Sequence, residues 1–238
     1  MTLNANSTTA KPAGKLYVVA TPIGNAGDIT TRAIETLAHA DVILCEEHRN
    51  GSRLLKSLGI AKPLLELNEH NEAERIQEVL LMLAQGQTLA LISDCGTPVF
   101  SDPGKKLLQL LYEMNIAVTP LPGASSLMAA LSVCPFDLEE FLFIGFLPVK
   151  AELRQKKLSQ LKHADYPLVL MDTPYRMQRL LQEVQQSFGK KQNIFLACDL
   201  TMPEEHLYLG PVDEILTRIQ NRKAEFILIL DRPQKKPF

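Results

Sequence analysis

The stretch "TLALISDCGTPVFSDPG", residues 88–104, joins an apolar run to a turn rich in Asp, Gly, Pro and Ser. Its first six residues are typical of a buried strand. "CGTP" predicts a sharp bend, and "SDPG" predicts a helix start with Ser101 or Asp102 as N-cap and Pro103 in the first turn. Helix geometry accounts for "SDPG" but not for "DCGTP", so we assign "DCGTP" to the binding of a ligand.

The same alternation of strands and helices extends from residue 15 along the chain. In the first half, a helix with Asp28 as N-cap follows the strand "KLYVVA". Another helix, with Asn71 as N-cap and Gly86 as its C-terminal stop, precedes "TLALIS". A second unit begins near "CPFD", residues 134–137. The pattern predicts two α/β domains with mainly parallel or mixed sheets and a cofactor cleft between them.

The predicted boundaries are a disordered leader over residues 1–14, an N-terminal domain over 15–134 and a C-terminal domain over 135–238. The 238 residues are 46% hydrophobic and carry a net charge of −2, as in a globular protein with a substantial core. The four cysteines form no CxxC pair, and the five histidines show no spacing typical of metal ligands. No apolar run approaches the ~20 residues that span a bilayer. We therefore expect a cytoplasmic protein without a metal.

Three turns rich in Gly or Pro follow apolar strands of the first domain: "TPIGN", "SDCGTP" and "PGASS". Ligands of open α/β sheets bind beyond the carboxyl ends of the strands, and Gly24, Gly96 and Gly123 would permit a close approach or a positive φ. An α/β protein also needs turns there without any ligand. The sequence has neither a GxGxxG motif nor a P-loop, and these turns carry no cation placed for phosphate. A neutral or cationic ligand is favoured, and S-adenosylmethionine fits that description.

Seven segments occur in the order typical of one family: "LYVVATPIGNAGDIT", "EEHR", "HNE", "LISDCGTPVFSDPG", "PLPGASSLMAAL", "FIGFLPVK" and "TPYR". From about residue 15 to 230 the chain closely resembles the tetrapyrrole methylase superfamily. The most similar branch methylates a ribose 2′-hydroxyl of small-subunit (16S) ribosomal RNA. The resemblance implies a bilobed α/β fold, a homodimer, S-adenosylmethionine in the cleft between the lobes, and ribosomal RNA or the small ribosomal subunit as partner.

The resemblance also implies roles for individual residues. Cofactor contacts are expected from three loops of the first domain and, in the second domain, from a strand end and a strand start: Pro22, Asp94, Gly96, Thr97, Pro98, Ser125, Ser126, Met171 and Glu225. Glu46 is the candidate base and Arg49 a further active-site residue. Lys150, Arg154 and Lys157 lie at i, i+4 and i+7 of a predicted helix, and Arg49, Lys150 and Arg154 would hold phosphate.

The sequence departs from the pattern of that branch at four places. "EEHR" stands where the branch has EDTR, "CDLTM" where it has RELTK, and "DTPYR" where it has ESPHR. The chain stops at Phe238, without the helical extension common in longer members. These changes leave the cofactor loops nearly intact and fall mainly on positions expected to face the substrate. Two alternatives to ribose methylation therefore remain open: methylation of a tetrapyrrole or another small molecule, and a non-catalytic module that binds S-adenosylmethionine.

Overall fold

The computed structural model describes residues 14–220 and 222–232. The chain divides into two units, the first ending at Ser125 and the second starting at Ser126. This division lies nine residues before the predicted boundary. The reason is a helix at the start of the second unit, whose buried Ala130 belongs to the same apolar cluster as Val169 and Ile227 of the second sheet. The predicted leader falls on residues outside the described range, except Gly14, which is buried and donates its N–H to the carbonyl of Leu83 (2.8 Å).

The first unit contains a five-stranded parallel sheet in the order β3-β2-β4-β1-β5. Its strands are β1 (Lys15–Val19), β2 (Val42–Cys45), β3 (Leu64–Glu66), β4 (Thr88–Ile92) and β5 (Ala117–Leu121), and its helices are α1 (Thr31–His39), α2 (His48–Ser57), α3 (Glu72–Ala84) and α4 (Lys105–Glu113). Alternate residues of β4 face opposite ways: Leu89 packs with the helices α3 and α4, and Ala90 packs with α1 and α2. Because all strands run in one direction, their carboxyl ends meet at one edge.

The second unit is built on a mixed sheet in the order β6-β7-β10-β8-β9. Its strands are β6 (Leu142–Phe146), β7 (Leu168–Asp172), β8 (Asn193–Cys198), β9 (His206–Pro211) and β10 (Phe226–Leu230), and its helices are α5 (Ser126–Val133), α6 (Ala151–Leu161), α7 (Met177–Phe188) and α8 (Val212–Ile219). Only β6 and β7 pair in parallel; β10 runs antiparallel to both of its neighbours, β7 and β8. The predicted class of two α/β units with parallel and mixed sheets is confirmed.

The structure corrects the predicted N-cap of α1 and confirms the position of the N-cap predicted for α3. Asp28 ends a short 3-10 turn (Ala26–Asp28), and α1 is capped by Thr30, whose hydroxyl accepts from the N–H of Ala33 (3.1 Å). Asn71 stands at the N-cap of α3 but makes no side-chain capping bond. Its Oδ1 accepts from the N–H of Asn68 instead (2.8 Å). The Asn71 side chain therefore closes the turn before α3, which competes with the first turn of the helix for the same acceptor.

The start of α4 differs from its prediction. The helix begins at Lys105, and its N-cap is Gly104 at φ 117°, so neither Ser101 nor Asp102 caps it. The acceptor comes from the neighbouring helix: Oε1 of Glu72, the first residue of α3, accepts from the N–H groups of Gly104 and Lys106, both at 3.2 Å. A buried carboxylate therefore satisfies N–H groups that a local cap would otherwise take.

We expect Glu72→Ala to lower the free energy of unfolding by about 1–2 kcal/mol, because the N–H of Gly104 loses a buried acceptor. Urea denaturation of the parent, Glu72→Ala and Glu72→Gln measures the change. The Gln side chain keeps an acceptor oxygen and should retain part of the stability. An unchanged midpoint for Glu72→Ala would show that the contact between the two helices contributes nothing.

Candidate functional site at the carboxyl edge of the first sheet

Three loops meet at the carboxyl edge of the first sheet, after β1, β4 and β5. Thr21, directly after β1, lies at their centre: its hydroxyl donates to the carbonyl of Ser93 (3.0 Å) and its N–H to the carbonyl of Gly96 (2.9 Å). The hydroxyl of Thr97 donates to the carbonyl of Ala124, in the loop after β5 (3.2 Å). Hydrogen bonds thus fix the loops after β1 and β5 against the loop after β4.

Two of the three glycines singled out in these loops have a packing role. Gly96 has φ +83°, and a Cβ there would lie 3.0 Å from Cγ2 of Ile23. A Cβ on Gly123 would lie 2.9 Å from the Cβ of Ala20. The positive φ expected of a loop glycine is confirmed at Gly96. At Gly123, the absence of a side chain allows the methyl group of Ala20 to pack against the backbone. The space next to both glycines is filled by neighbouring loops.

The loop after β4 also contains a strained residue. Val99 has φ 69°, in the left-handed region that β-branched side chains rarely adopt. It directly follows Thr97 and the buried Pro98, two of the predicted cofactor contacts. Backbone strain of this kind persists only where the surroundings impose it, and it concentrates at ligand sites. Val99 therefore supports the assignment of this loop to a ligand.

Asp94 links the ends of β4 and β2. Its Oδ2 accepts from Nδ2 of Asn50 (2.7 Å), and its Oδ1 accepts from the N–H of Glu47 (3.4 Å). Nδ2 of Asn50 also donates to Oε2 of Glu47 (3.0 Å). Asn50 was not among the predicted residues, although it directly follows "EEHR" and could have been included with that motif. Its amide fixes the orientation of the Asp94 carboxylate.

Glu46, directly after β2, lies at the same edge, and its carboxyl group has a raised pKa. Burial raises its pKa to about 6, with Asp102, Asp94, Glu69 and Glu47 adding to the shift. The edge therefore carries a concentration of negative charge, which favours a cationic ligand. A sulfonium and an ammonium group meet that requirement, so the residues present fit S-adenosylmethionine. Asp94, Gly96, Thr97 and Pro98 are those that would hold it on the first unit.

The remaining predicted residues of the first unit lie at the same edge. Pro22 is half-buried in the loop after β1, and Ser125 is half-buried after β5. Arg49 is exposed in the first turn of α2. Ser126 begins α5 and belongs to the second unit. Pro22 and Ser125 thus lie in loops of the expected edge, and Arg49 lies in the helix that follows β2. The contacts of all four residues with cofactor or substrate stay predictions.

Met171 and Glu225 lie on paired strands of the second unit. Met171 is half-buried on β7, opposite Ile227 of β10. Glu225 is exposed just before β10, and its N–H donates to Oδ1 of Asp199 (3.0 Å). The register of β7 against β10 places both at the same end of the second sheet. Their predicted role in closing a cofactor pocket stays a prediction.

Arg154 is not available to phosphate, and this prediction is wrong. Its side chain is 2% exposed and forms a bidentate ion pair with Glu183, with Nε–Oε2 at 2.5 Å and Nη2–Oε1 at 2.7 Å. Nη1 donates to the carbonyls of Pro148 and Val149. Hydrogen bonds from Arg154 hold the pKa of Glu183 below its ordinary value. All three guanidinium nitrogens are occupied, so Arg154 connects α6 to α7 and to the end of β6.

Lys150 and Lys157, the other cations of that predicted face, are exposed. Lys150 stands at the N-cap of α6 and remains a candidate for phosphate contact. Within residues 14–220 and 222–232, no group of three His, Cys, Asp or Glu side chains is arranged to hold a metal ion. Nor does any helix in the described part of the chain have the length and apolarity needed to cross a membrane.

A comparison with models of protein families gives a match over most of this chain. The family model for Tetrapyrrole (Corrin/Porphyrin) Methylases matches residues 15–216, which include the three loops and most of the second sheet. The chain belongs to the tetrapyrrole methylase family. This finding confirms the resemblance that the ordered motifs indicated.

Curated relatives of this family member share more than a third of its residues. The ribosomal RNA small subunit methyltransferase I of Synechocystis sp. is 38% identical over 94% of this chain and 82% of its own length. The proteins of the same name from Haemophilus influenzae and Escherichia coli O157:H7 are 39% and 36% identical, over 93% and 92% of this chain and 80% and 78% of their own lengths. The predictions of a methyltransferase and of S-adenosylmethionine as cofactor are confirmed at the level of the family.

Solved structures of other tetrapyrrole methylases share the fold. The uroporphyrin-III-C-methyltransferase of Thermus thermophilus superposes with a TM-score of 0.63 at 21% identity, covering 92% of this chain and 95% of that one. A cobalt precorrin-4 methyltransferase gives 0.64 at 18% identity, covering 91% and 94%. At these identities the likeness concerns architecture alone.

Proposed function

We propose that this protein transfers a methyl group from S-adenosylmethionine to a ribose 2′-hydroxyl of small-subunit ribosomal RNA. The observation that carries the proposal is identity of 36–39% to relatives named ribosomal RNA small subunit methyltransferase I, over at least 78% of their lengths. The carboxylate-rich edge of the first sheet supports a methyltransferase reaction by its preference for a cation. We further infer a homodimer in the cytoplasm.

Glu46 is proposed as the general base. When bound, S-adenosylmethionine supplies an activated methyl group, whose carbon–sulfur bond breaks as the new carbon–oxygen bond forms. The attacking hydroxyl becomes strongly acidic during this step, so a carboxylate is able to accept its proton. A pKa of about 6 leaves Glu46 ionised at neutral pH but more basic than an ordinary carboxylate. Arg49 and Lys150 are the exposed cations proposed to contact phosphate, and correct positioning supplies much of the remaining acceleration.

Transfer of labelled methyl groups tests the proposal directly. The protein is incubated with methyl-labelled S-adenosylmethionine and small ribosomal subunits from a strain that lacks it, and the RNA is then hydrolysed with alkali. A 2′-O-methyl group blocks alkaline cleavage, so the expected label appears in alkali-resistant dinucleotides. Label only on an added tetrapyrrole would favour the small-molecule alternative. Cofactor binding without any transfer would favour the non-catalytic module.

We expect Asp94→Asn to weaken binding of S-adenosylmethionine by about 10- to 100-fold, because one charge opposite a cationic ligand is lost. Isothermal titration in the presence of a chelator measures the affinity. The matched control is Asp41→Asn, since Asp41 caps the N–H of Thr88 (2.7 Å) at the opposite end of the same sheet. Equal affinities for the two variants would remove Asp94 from the cofactor site.

The proposed homodimer predicts a mass near twice the 26.5 kDa of the chain. Symmetric homodimers are the commonest assemblies of soluble proteins. Light scattering at micromolar concentration measures the mass, and a value near that of one chain would contradict the dimer.

A further inference from the structure

Tyr175 presents an aromatic ring to solvent at the carboxyl end of β7. It is 79% exposed, the largest exposed fraction of any tyrosine or phenylalanine in the described part of the chain. Tyr175 lies in a 3-10 turn (Pro174–Arg176) between β7 and α7, within the segment where the chain reads "DTPYR". An aromatic ring exposed to water gains no free energy from burial, so an exposed position of this kind is typical of a ring that binds a ligand.

The turn that carries Tyr175 is held rigidly. Asp172 is 3% exposed at the end of β7, and its Oδ1 accepts from the N–H of Thr173 (2.7 Å) and from Nε of Arg176 (2.6 Å). The N–H of Arg176 donates to the carbonyl of Thr173 (2.9 Å), and Pro174 restricts its own φ. An ion pair between the buried Asp172 and the half-buried Arg176 thus fixes the backbone on both sides of the exposed ring. Little conformational entropy remains to be lost when a ligand binds there.

A lysine lies over the ring. Nζ of Lys223 is 5.0 Å from the ring centroid of Tyr175, within the range of a cation–π contact. Lys223 is exposed in the segment before β10, and Phe226 at the start of that strand pairs with Asp172. The pairing of β10 with β7 therefore brings a cation and an aromatic ring together from residues 48 positions apart.

The neighbouring strand adds a further cation at the same end of the sheet. β6 runs parallel to β7 with Phe146 opposite Met171, so the chain after β6 emerges where the turn of Tyr175 begins. That segment ends in the exposed residues Val149 and Lys150. This end of the second sheet therefore presents an aromatic platform together with two solvent-exposed lysines.

We propose that Tyr175 stacks against an unpaired nucleobase of the RNA substrate, while Lys223 contacts an adjacent phosphate. This inference rests on the proposed function, which makes RNA the substrate. Proteins that bind single-stranded nucleic acid combine exposed aromatic rings with cations, because every base has a face for stacking and every nucleotide a phosphate. Inside a duplex, both faces of a base are covered by the stacked neighbouring bases, so the proposal assigns this platform to a loop, bulge or opened strand.

The absence of tryptophan from the sequence allows a direct test. Tyr175→Trp introduces a single tryptophan whose fluorescence a stacked base should quench. The matched control is Tyr112→Trp, because Tyr112 is 66% exposed on α4 of the first unit. Titration with RNA extracted from small ribosomal subunits should quench the first variant and leave the second nearly unchanged. Quenching by intact subunits but not by their RNA would overturn the proposal in favour of a protein contact.

Affinity measurements separate stacking from other roles. Tyr175→Ala should weaken RNA binding by about 5- to 100-fold, while Tyr175→Phe keeps the ring and should stay within about twofold of the parent. Lys223→Ala should make the dependence of log K on log salt shallower by about one unit. Affinity for S-adenosylmethionine should not change in the Ala variant of Tyr175. If the parent methylates RNA but Tyr175→Ala binds RNA equally well, the stacking proposal is wrong and the proposed methyltransferase function stands. If the parent neither methylates nor binds RNA, the stacking proposal and the proposed function are both wrong.

Discussion

Glu46→Gln should slow methyl transfer by about 10²- to 10⁴-fold while leaving the affinity for S-adenosylmethionine nearly unchanged. The Gln side chain keeps the size and the hydrogen-bonding oxygen of Glu46 but does not accept a proton. Because the pKa of Glu46 is raised to about 6, the rate of the parent should rise with pH up to about 6 and then level off. The variant should lack that rise. Single-turnover rates between pH 5 and 8.5 measure both effects.

The raised pKa of Glu46 also affects stability: ionisation of this carboxylate, which the reaction requires, lowers the free energy of unfolding. An unfolded chain releases the Glu46 proton near 4.5, whereas the folded protein holds it to about 6. The folded state binds more protons in this range, so ionisation of Glu46 destabilises the fold as pH rises from 4.5 to 6. Glu46→Gln should therefore be more stable than the parent by about 1 kcal/mol above pH 6, after allowance for solvent screening, and equal to it near pH 4. A variant that is slow but gains no stability would show that neither burial nor the neighbouring carboxylates destabilise the ionised Glu46 side chain.

Arg154→Ala should lower the free energy of unfolding by about 3 kcal/mol, because the buried Glu183 carboxylate then keeps only the exposed Arg179 as a cationic partner. Urea denaturation followed by circular dichroism measures the loss. Lys157→Ala, on the exposed side of the same helix, is the matched control and should change stability by less than about 0.5 kcal/mol.

A double replacement, Arg154→Met with Glu183→Leu, removes both charges and should recover most of the stability lost by Arg154→Ala. Among molecules that remain folded, Arg154→Ala should bind RNA as the parent does. A marked loss of RNA affinity without loss of stability would return Arg154 to the substrate site.

The difference between Lys150 and Arg154 shows what helical periodicity does and does not predict. Both were placed on one cationic face of α6, but Arg154 shares its side of the helix with the buried Leu158 and Leu161 at i+4 and i+7. Those two leucines were a sequence signal that the side faces inward. The partner, Glu183, lies 29 residues away on another helix, and no local pattern indicates such a pairing.

The strands "KLYVVA" and "TLALIS" were predicted well because each is a short apolar run bounded by turn residues. The starts of α1 and α4 were not, since several polar residues compete for each N-cap and the acceptor for α4 comes from Glu72, more than 30 residues upstream. α5 was missed for another reason: "SLMAALSV" is apolar on nearly every side, so it shows no period of 3.6 residues. Local sequence patterns therefore do not predict hydrogen-bond partners that are distant in sequence, and they do not reveal a helix that is apolar on nearly every side.

The strand orders have a consequence for how the two units form during synthesis. In the first unit, the last strand to be translated, β5, joins at the edge, so β3, β2, β4 and β1 are able to pair before it exists. In the second unit the last strand, β10, sits between β7 and β8 and pairs with both. Until residue 230 has left the ribosome, the pair β6–β7 and the pair β8–β9 lack the strand that joins them. We therefore expect the second sheet to close only after that point, with unpaired strand edges open to association until then.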